Sequence, residues 1–153
     1  MALKAWTFAY RRYGLSVKHI RRFVSERYST VSFEKTVFPS MKKGHSQFYL
    51  ATDKGKIIGY SNAGPGIWSW ELYRIYLLPE YIGKGVGKKL LLLAEDFLRS
   101  KKARKYHLYV WQENKAALEF YKRNGFVKLE AKNKNKVEIC LEKKLTNTPP
   151  SRT

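Results

Sequence analysis

The residues whose types and spacing most clearly predict a chemical role lie between positions 81 and 89. This stretch, the glycine arm, reads Tyr81-Ile82-Gly83-Lys84-Gly85-Val86-Gly87-Lys88-Lys89 and precedes a segment with helical apolar periodicity. Glycine lets a backbone approach a ligand closely, and the N–H groups at the start of a helix bind anions. Three lysines add positive charge. The arm therefore predicts a pyrophosphate site, with a plain strand-to-helix turn as the alternative.

The spacing of the glycines excludes two common nucleotide-binding loops. A P-loop requires G-x-x-x-x-G-K-[ST], and the sequence contains no such run. A dinucleotide-binding fingerprint requires G-x-G-x-x-G, whereas the third glycine here comes one residue too early. The arm needs the context of the elements around it before a ligand can be named.

Those elements alternate between helical and strand periodicity. Apolar spacing and turn residues predict helices over 3–13, 16–28 and 83–102, with another beginning at Asn114 and ending at Gly125. A short helix broken near Pro39 is expected within 29–44. Strands are predicted over 47–51, 57–63, 69–78, 106–111, 126–131 and 137–145. A strand–helix–strand unit between hairpins predicts a mixed α/β sheet with local parallel pairing.

Two blocks of this sequence resemble the GNAT N-acetyltransferase superfamily. Residues 77–91 are similar to its acetyl-CoA signature, [Q/R]-x-x-G-x-[G/A] after a strand, although Ile82 stands where Gln or Arg is usual. Residues 114–126 resemble its second block, N-x-x-A-x-x-F-Y-x-x-x-G-F. The likeness runs from about Gln47 to Leu145, and the aromatic opening helix is most similar to PaiA-type polyamine acetyltransferases. These domains normally begin with a strand, so the sheet edge and a homodimer stay open.

The resemblance implies both a fold and an activity. The fold would be a GNAT-type mixed, mostly antiparallel sheet with a central parallel strand pair, flanked by helices, in a single domain over 1–145. The activity would be direct transfer of the acetyl group of acetyl-CoA to a primary amine within a ternary complex. The acceptor could be a polyamine, another small amine, or a protein N-terminus or lysine. A non-catalytic acetyl-CoA sensor or a basic nucleic-acid-binding module on the same fold is the alternative.

The resemblance also assigns roles to individual residues. Backbone groups of Ile75, Tyr76 and Leu77 would bind the acetyl-pantetheine, and Asn114 would contact the cofactor or a water. The pyrophosphate would be held by the backbone N–H of Ile82 and by its successors Gly83, Lys84, Gly85, Val86, Gly87 and Lys88.

Acid–base roles fall on three side chains. Tyr121 stands at the position of the general acid, and the alternative is a core tyrosine at helical spacing. Glu71 matches the strand position of the general base, and the alternative is a surface glutamate. His107, on the neighbouring strand, is a weaker candidate for the base.

Charge is the unusual bulk property of this 153-residue chain. Lys and Arg number 31 against 12 Asp and Glu, a formal net charge of +19. The basic residues are spread along the chain, which favours a solvated surface, and any nucleic-acid binding is expected to be nonspecific. A cationic substrate would require a local acidic pocket near Glu71, Glu34 or Glu26.

Several other features bound the interpretation. The one cysteine, Cys140, sits in an apolar run and is expected in the core. With a single cysteine, no secretory signal and no apolar stretch able to span a bilayer, a cytoplasmic protein without membrane contact is expected. Three scattered histidines indicate no metal site. Residues 146–153 are expected to form a disordered tail.

Overall fold

The N-terminal part of the protein is helical. The computed structural model describes residues 1–11, 14–130 and 137–146. Helices α1 (Ala2–Tyr10) and α2 (Val17–Arg27) pack through Trp6 and Phe23, whose ring centroids lie 4.6 Å apart. Ser16 caps α2 because its hydroxyl accepts the N–H of His19 at 3.2 Å. The predicted helical opening is therefore confirmed, without a strand before α1 in the described residues.

Residues 30–42 form a helical segment rather than a broken one. It consists of α3 (Thr30–Ser32), a π turn (Phe33–Val37) and α4 (Phe38–Lys42). The prediction of a break near Pro39 is wrong, since Pro39 occupies the first turn of α4, where a missing N–H costs no helical bond. The irregularity lies one turn earlier, in the π turn.

The described residues form one six-stranded sheet with the order β1-β2-β3-β4-β6-β5. Its strands are β1 (Gln47–Asp53), β2 (Lys56–Pro65), β3 (Trp70–Leu77), β4 (Lys105–Trp111), β5 (Val127–Lys128) and β6 (Glu138–Lys144). All neighbours pair antiparallel except β3 and β4, which are parallel. The expected mixed sheet with a central parallel pair is confirmed. Strand β2 runs two residues beyond its predicted end.

Helices α5 (Val86–Ser100) and α6 (Lys115–Arg123) accompany the sheet, and a 3₁₀ turn (Pro79–Tyr81) links β3 to the glycine arm. The apolar face of α5 packs into the core with sheet residues such as Leu72 and Leu108. Cys140 is fully buried, as expected. None of the described helices has both the length and the apolar character needed to cross a membrane. Residues 147–153 of the predicted tail lie outside the described residues.

A bulge in β3 decides which of its side chains face the same way. Asn62 of β2 pairs with Arg74, but Ala63 pairs with Leu72, so Tyr73 is an extra residue in the ladder. The bulge shifts the alternation of side chains along the strand. Glu71 before it and Tyr76 after it consequently line the same cavity.

The parallel strands β3 and β4 part soon after they meet. They pair at only two positions, Trp70 with Tyr106 and Glu71 with His107. Strand β3 then continues to Leu77 without β4 beside it. This splay leaves an opening beside the backbone of Ile75, Tyr76 and Leu77, which the family resemblance assigns to the acetyl-pantetheine, and two cavities meet beside it.

Candidate active site

The first cavity, the glycine-arm groove, lies between α1, β3, the glycine arm and α6. It has a volume of about 430 Å³. Among its walls are nine predicted cofactor-binding residues: Ile75, Tyr76, Leu77, Ile82, Gly83, Gly85, Gly87, Lys88 and Asn114. The predicted residues Lys84 and Val86 are not among those walls. The Lys84 ammonium instead lies 5.2 Å from the centre of the Tyr81 ring.

The glycine arm exposes backbone to this groove. Gly83 and Gly85 have φ angles of 82° and 79°, in the left-handed region that favours glycine. A Cβ on either residue would meet no atom within 4 Å, so both face open space. Gly85 is the N-cap of α5 and has no side chain to accept the first N–H groups of the helix. These groups are oriented to bind an anion, and Lys88 adds charge beside them.

Gly87 has a different role from the two preceding glycines. A Cβ there would lie 3.3 Å from Leu77 Cδ1 and 3.5 Å from Phe120 Cε2. The residue therefore allows α5 to approach β3 and α6 closely, which narrows the groove at that point.

Two predicted cofactor-binding residues at the groove also form local hydrogen bonds. The N–H of Ile82 donates to the Pro79 carbonyl at 3.1 Å, so it is a weaker donor for a phosphate than the sequence alone suggests. Asn114 is the N-cap of α6, and its Oδ1 accepts the N–H of Ala117 at 3.3 Å. This bond fixes the Asn114 side chain at the groove wall.

Tyr121 lies on α6 in the wall of the same groove, with only 7% of its surface exposed. Its ring packs edge-on against Phe126, with 5.2 Å between the ring centroids. Burial raises the pKa of the Tyr121 phenol above its ordinary value, and nearby Tyr10 raises it further. The phenol therefore remains protonated at neutral pH and can act as a proton donor.

The second cavity, the β3 cavity, has a volume of about 600 Å³ and lies between the N-terminal helices and the sheet. Its charged walls are the carboxylates of Glu71 and Glu138 and the guanidinium groups of Arg27 and Arg74. Tyr76 lines both cavities, so the two meet at β3. At this junction the hydroxyls of Tyr76 and Tyr10 are hydrogen-bonded at 2.8 Å.

The acidic residues of the β3 cavity differ in part from those expected. Glu71 is present, but Glu34 and Glu26 are exposed and are not among the residues lining the cavity. The Glu26 carboxylate instead lies 4.0 Å from Arg22 Nε on the outer face of α2. Glu138, which sequence reasoning missed, provides the second carboxylate from β6. Its strand was predicted, but nothing in the sequence showed that β6 reaches this cavity.

The structure brings the two candidate bases together. Glu71 Oε2 lies 3.4 Å from His107 Nε2, and 18% of the Glu71 side chain is exposed. The His107 ring is completely buried. Ser69 Oγ lies 2.9 Å from its Nδ1, and Trp68 stacks on the ring at 4.0 Å. The carboxylate therefore faces the cavity, while the imidazole lies behind it.

Comparison with known proteins agrees with this geometry. The model of the acetyltransferase (GNAT) family matches residues 10–126. Spermidine N(1)-acetyltransferase of Thermoplasma acidophilum is 32% identical over 127 residues, which cover 82% of this chain and 78% of that protein.

Solved structures share the fold of this chain. The PaiA N-acetyltransferase of Thermoplasma acidophilum, in complex with coenzyme A, superposes with a TM-score of 0.84 at 29% identity, covering 94% of this chain and 88% of that one. Nourseothricin acetyltransferase shares the fold, with a TM-score of 0.58 at 24% identity over 67% of this chain and 66% of that one.

The groove suits acetyl-CoA on its own chemistry. Left-handed glycines facing open space, an uncapped helix start and Lys88 fit a pyrophosphate. The stretch of β3 that lies beyond its pairing with β4 fits the extended pantetheine. The chain belongs to the GNAT acetyltransferase family and is an acetyl-CoA-dependent N-acetyltransferase of the PaiA type.

Proposed function

We propose that this enzyme acetylates small polycationic primary amines of the polyamine class, by direct transfer within a ternary complex. The observation that carries the proposal is the β3 cavity, which meets the glycine-arm groove at Tyr76 and contains two carboxylates, Glu71 and Glu138. A relative with 32% identity is a spermidine N(1)-acetyltransferase, which supports the same substrate class.

The local charge of the β3 cavity differs from that of the whole protein. A chain with a net charge of +19 repels a polyamine at long range, so binding requires local acidic groups. Both cavity arginines lie against aromatic rings: Arg27 is 5.0 Å from the centre of Phe23, and Arg74 is 5.2 Å from that of Tyr28. This placement holds the two cations against aromatic walls of the cavity, whose acidic residues are Glu71 and Glu138. A volume of about 600 Å³ suits a small molecule.

Each step of the transfer has a residue suited to it. Glu71 accepts the proton of the ammonium group, which frees the amine to attack. Backbone groups of β3 from Ile75 to Leu77 bind the pantetheine and polarise the acetyl carbonyl. Tyr121 donates a proton to the departing thiolate. Cys140 is fully buried, so it is not positioned to form an acyl-enzyme, which favours direct transfer.

An acetylation assay with a panel of amines tests the substrate class. The panel contains spermidine, spermine, putrescine, a primary monoamine without a second cationic group, an N-terminal peptide and a lysine peptide, and release of the coenzyme A thiol is measured. We expect kcat/KM to be highest for the polyamines, because only they place a second cation near Glu138. Faster turnover of either peptide would contradict the proposal.

Two variants test the carboxylates separately. Glu138→Gln should raise the KM for spermidine by about three- to tenfold, roughly the 0.7–1.4 kcal/mol of one partly buried charge contact. It should leave the KM for the monoamine unchanged, because that substrate has no second cationic group. Glu119→Gln, at an exposed position on α6, is the matched control and should change neither value. An equal effect of Glu138→Gln on both amines would contradict its role in cation binding.

A further inference from the structure

We infer that His107 is a positioning residue that holds the Glu71 carboxylate at the edge of the β3 cavity. The inference rests on the proposed role of Glu71 as the base. It assigns to His107 a positioning role instead of the role of general base that the sequence suggested. His107 would act through Glu71, without touching the substrate.

The first support is the place of the pair in the sheet. Glu71 and His107 are register partners at the last position where β3 and β4 still pair. The two side chains therefore sit side by side where the strands begin to part. A rigid contact at this position fixes the carboxylate relative to the junction of the two cavities.

The second support is the burial of the imidazole. His107 is fully buried, and within the described residues its Nε2 has no hydrogen-bond partner of normal geometry. Glu71 Oε2 lies 3.4 Å from that nitrogen. A carboxylate oxygen only accepts hydrogen bonds, so the contact is attractive when Nε2 carries the hydrogen. A small movement of Glu71 would then complete a hydrogen bond.

The third support is the way in which the imidazole is held. Ser69 Oγ lies 2.9 Å from Nδ1 and 3.2 Å from the Trp70 carbonyl oxygen, and its single hydrogen can be donated to either. When Ser69 donates to Nδ1, the ring hydrogen is on Nε2, facing Glu71. Trp68 stacks on the ring at 4.0 Å, with 17° between the planes. A Cβ on Gly66 would lie 2.7 Å from His107 Cε1 and 2.9 Å from Glu71 Oε2, so the loop backbone closes tightly over both side chains. Three neighbouring loop residues thus define the position of one ring.

Other titratable groups around the pair do not take the place of Glu71. On β6, Glu142 is the register partner of His107, but its carboxylate forms an ion pair with Lys105 at 2.9 Å. Tyr109 packs edge-on against the imidazole.

The other titratable groups lie on the cavity side of the pair. Burial and the charge of Glu71 raise the pKa of Tyr73 to about 12, so this phenol is neutral at working pH. The remaining charges of the cavity are Glu138, Arg27 and Arg74.

The test compares His107→Leu, His107→Gln, Glu71→Gln and the double variant Glu71→Gln/His107→Leu. Amine kcat and KM are measured from about pH 6 to pH 10, and acetyl-CoA affinity is measured separately. His107→Leu should lower kcat about tenfold or more at neutral pH, and the loss should shrink as pH rises, because a neutral amine no longer needs a base. Gln retains an N–H donor and should keep most of the activity. His45→Leu, at an exposed histidine, is the control.

The double variant separates positioning from packing. If His107 acts only through Glu71, His107→Leu should cause no further loss of kcat in the Glu71→Gln background. A loss that is additive, or equal at all pH values, would overturn the inference and leave the proposed base intact. Full activity of Glu71→Gln would instead overturn the base itself. If His107→Leu does not fold, Ser69→Ala decides the matter: it should lower kcat more at neutral pH than at high pH, and an unchanged pH profile would overturn the inference.

Discussion

The two cavities of this enzyme are built in different ways. The glycine-arm groove takes its anion-binding groups from the backbone of one short stretch, where Gly83 and Gly85 face open space before α5. The β3 cavity takes its groups from side chains on α1, α2, the helical segment 30–42 and the strands β2, β3, β4 and β6. One site is local in the sequence, and the other is assembled from distant parts of the chain.

This difference indicates which part of the site binds the common cofactor and which part selects the amine. A pyrophosphate is recognised by N–H groups, which every residue but proline supplies, so glycine spacing and a helix start are sufficient. An amine is selected by the placement of a few carboxylates and aromatic rings. Changes in the groove should therefore affect every substrate alike, whereas changes in the β3 cavity should affect some amines more than others.

The largest expected effect is at Tyr121, in the wall of the glycine-arm groove. Tyr121→Phe removes one hydroxyl and keeps the ring that packs against Phe126. If the phenol protonates the thiolate, kcat should fall by about 10²–10⁴-fold, while acetyl-CoA affinity remains nearly constant. Steady-state kinetics on the best amine, together with calorimetry, measure the two quantities.

A second buried tyrosine gives the control for this variant. Tyr106 donates a hydrogen bond to the buried Glu95 at 2.6 Å, away from both cavities. Tyr106→Phe should lower the free energy of unfolding by about 1–3 kcal/mol without a comparable change in kcat. Loss of acetyl-CoA affinity in Tyr121→Phe with kcat intact would make Tyr121 a cofactor-positioning residue. No change in either quantity would make it a core residue.

The next largest effect is expected at the glycine arm of the same groove. Gly85→Val places a branched side chain where a Cβ now meets open space, and it should block the approach of the pyrophosphate. Acetyl-CoA affinity should fall at least about tenfold, or roughly 1.4 kcal/mol. The loss should be the same for every amine in the panel.

Backbone strain at Gly85 requires its own control. Gly55, in the β1–β2 turn, has a φ angle of 76° and also faces open space. Gly55→Val should lower stability through the same left-handed strain, yet leave acetyl-CoA affinity unchanged. Equal affinities for wild type and a folded Gly85→Val protein would show that the arm is only a turn.

The difference between the two cavities also explains how much of the fold and of the site could be predicted from the sequence. The mixed sheet and the glycine arm were predicted from local patterns, because periodicity and glycine spacing act over a few residues, whereas the other groove residues were predicted from the family resemblance. The hydrogen bond from the Ile82 N–H to the Pro79 carbonyl was not predicted, because it depends on the 3₁₀ turn that precedes the arm. A helix within 29–44 was expected, but its irregularity was placed at Pro39 because a π turn has no sequence signature comparable to that of proline.

The β3 cavity was far less accessible to prediction. The bulge at Tyr73 changes which residues of β3 face the cavity, and period-two alternation alone does not reveal it. Glu138 reaches the cavity only because β6 pairs with β4 in a particular register. The contact between Glu71 and His107 depends on the parallel pairing of strands 36 residues apart in sequence. Such long-range pairings are set by the whole fold.

The smallest expected effect concerns how acetyl-CoA reaches the groove. Lys88 lies in the groove wall, and the whole chain has a net charge of +19, so the polyanionic cofactor is attracted before it binds. At physiological salt the screening length is about 8 Å, which weakens attraction by distant lysines more than by Lys88. The association rate constant should therefore fall roughly threefold as salt rises from low to physiological concentration, with little change in the dissociation rate.

Stopped-flow measurements separate the contribution of Lys88 to the association rate from that of the overall charge. They compare Lys88→Gln with Lys18→Gln on α2, which is the matched control. Lys88→Gln should slow association and reduce its dependence on salt, whereas Lys18→Gln should change both only slightly. Identical behaviour of the two variants would show that the overall field alone attracts the cofactor.

The net charge of the chain also predicts weak, nonspecific DNA binding that disappears with salt. Tight, sequence-selective DNA binding at physiological salt would contradict this prediction, because it requires base contacts that a dispersed positive surface does not provide.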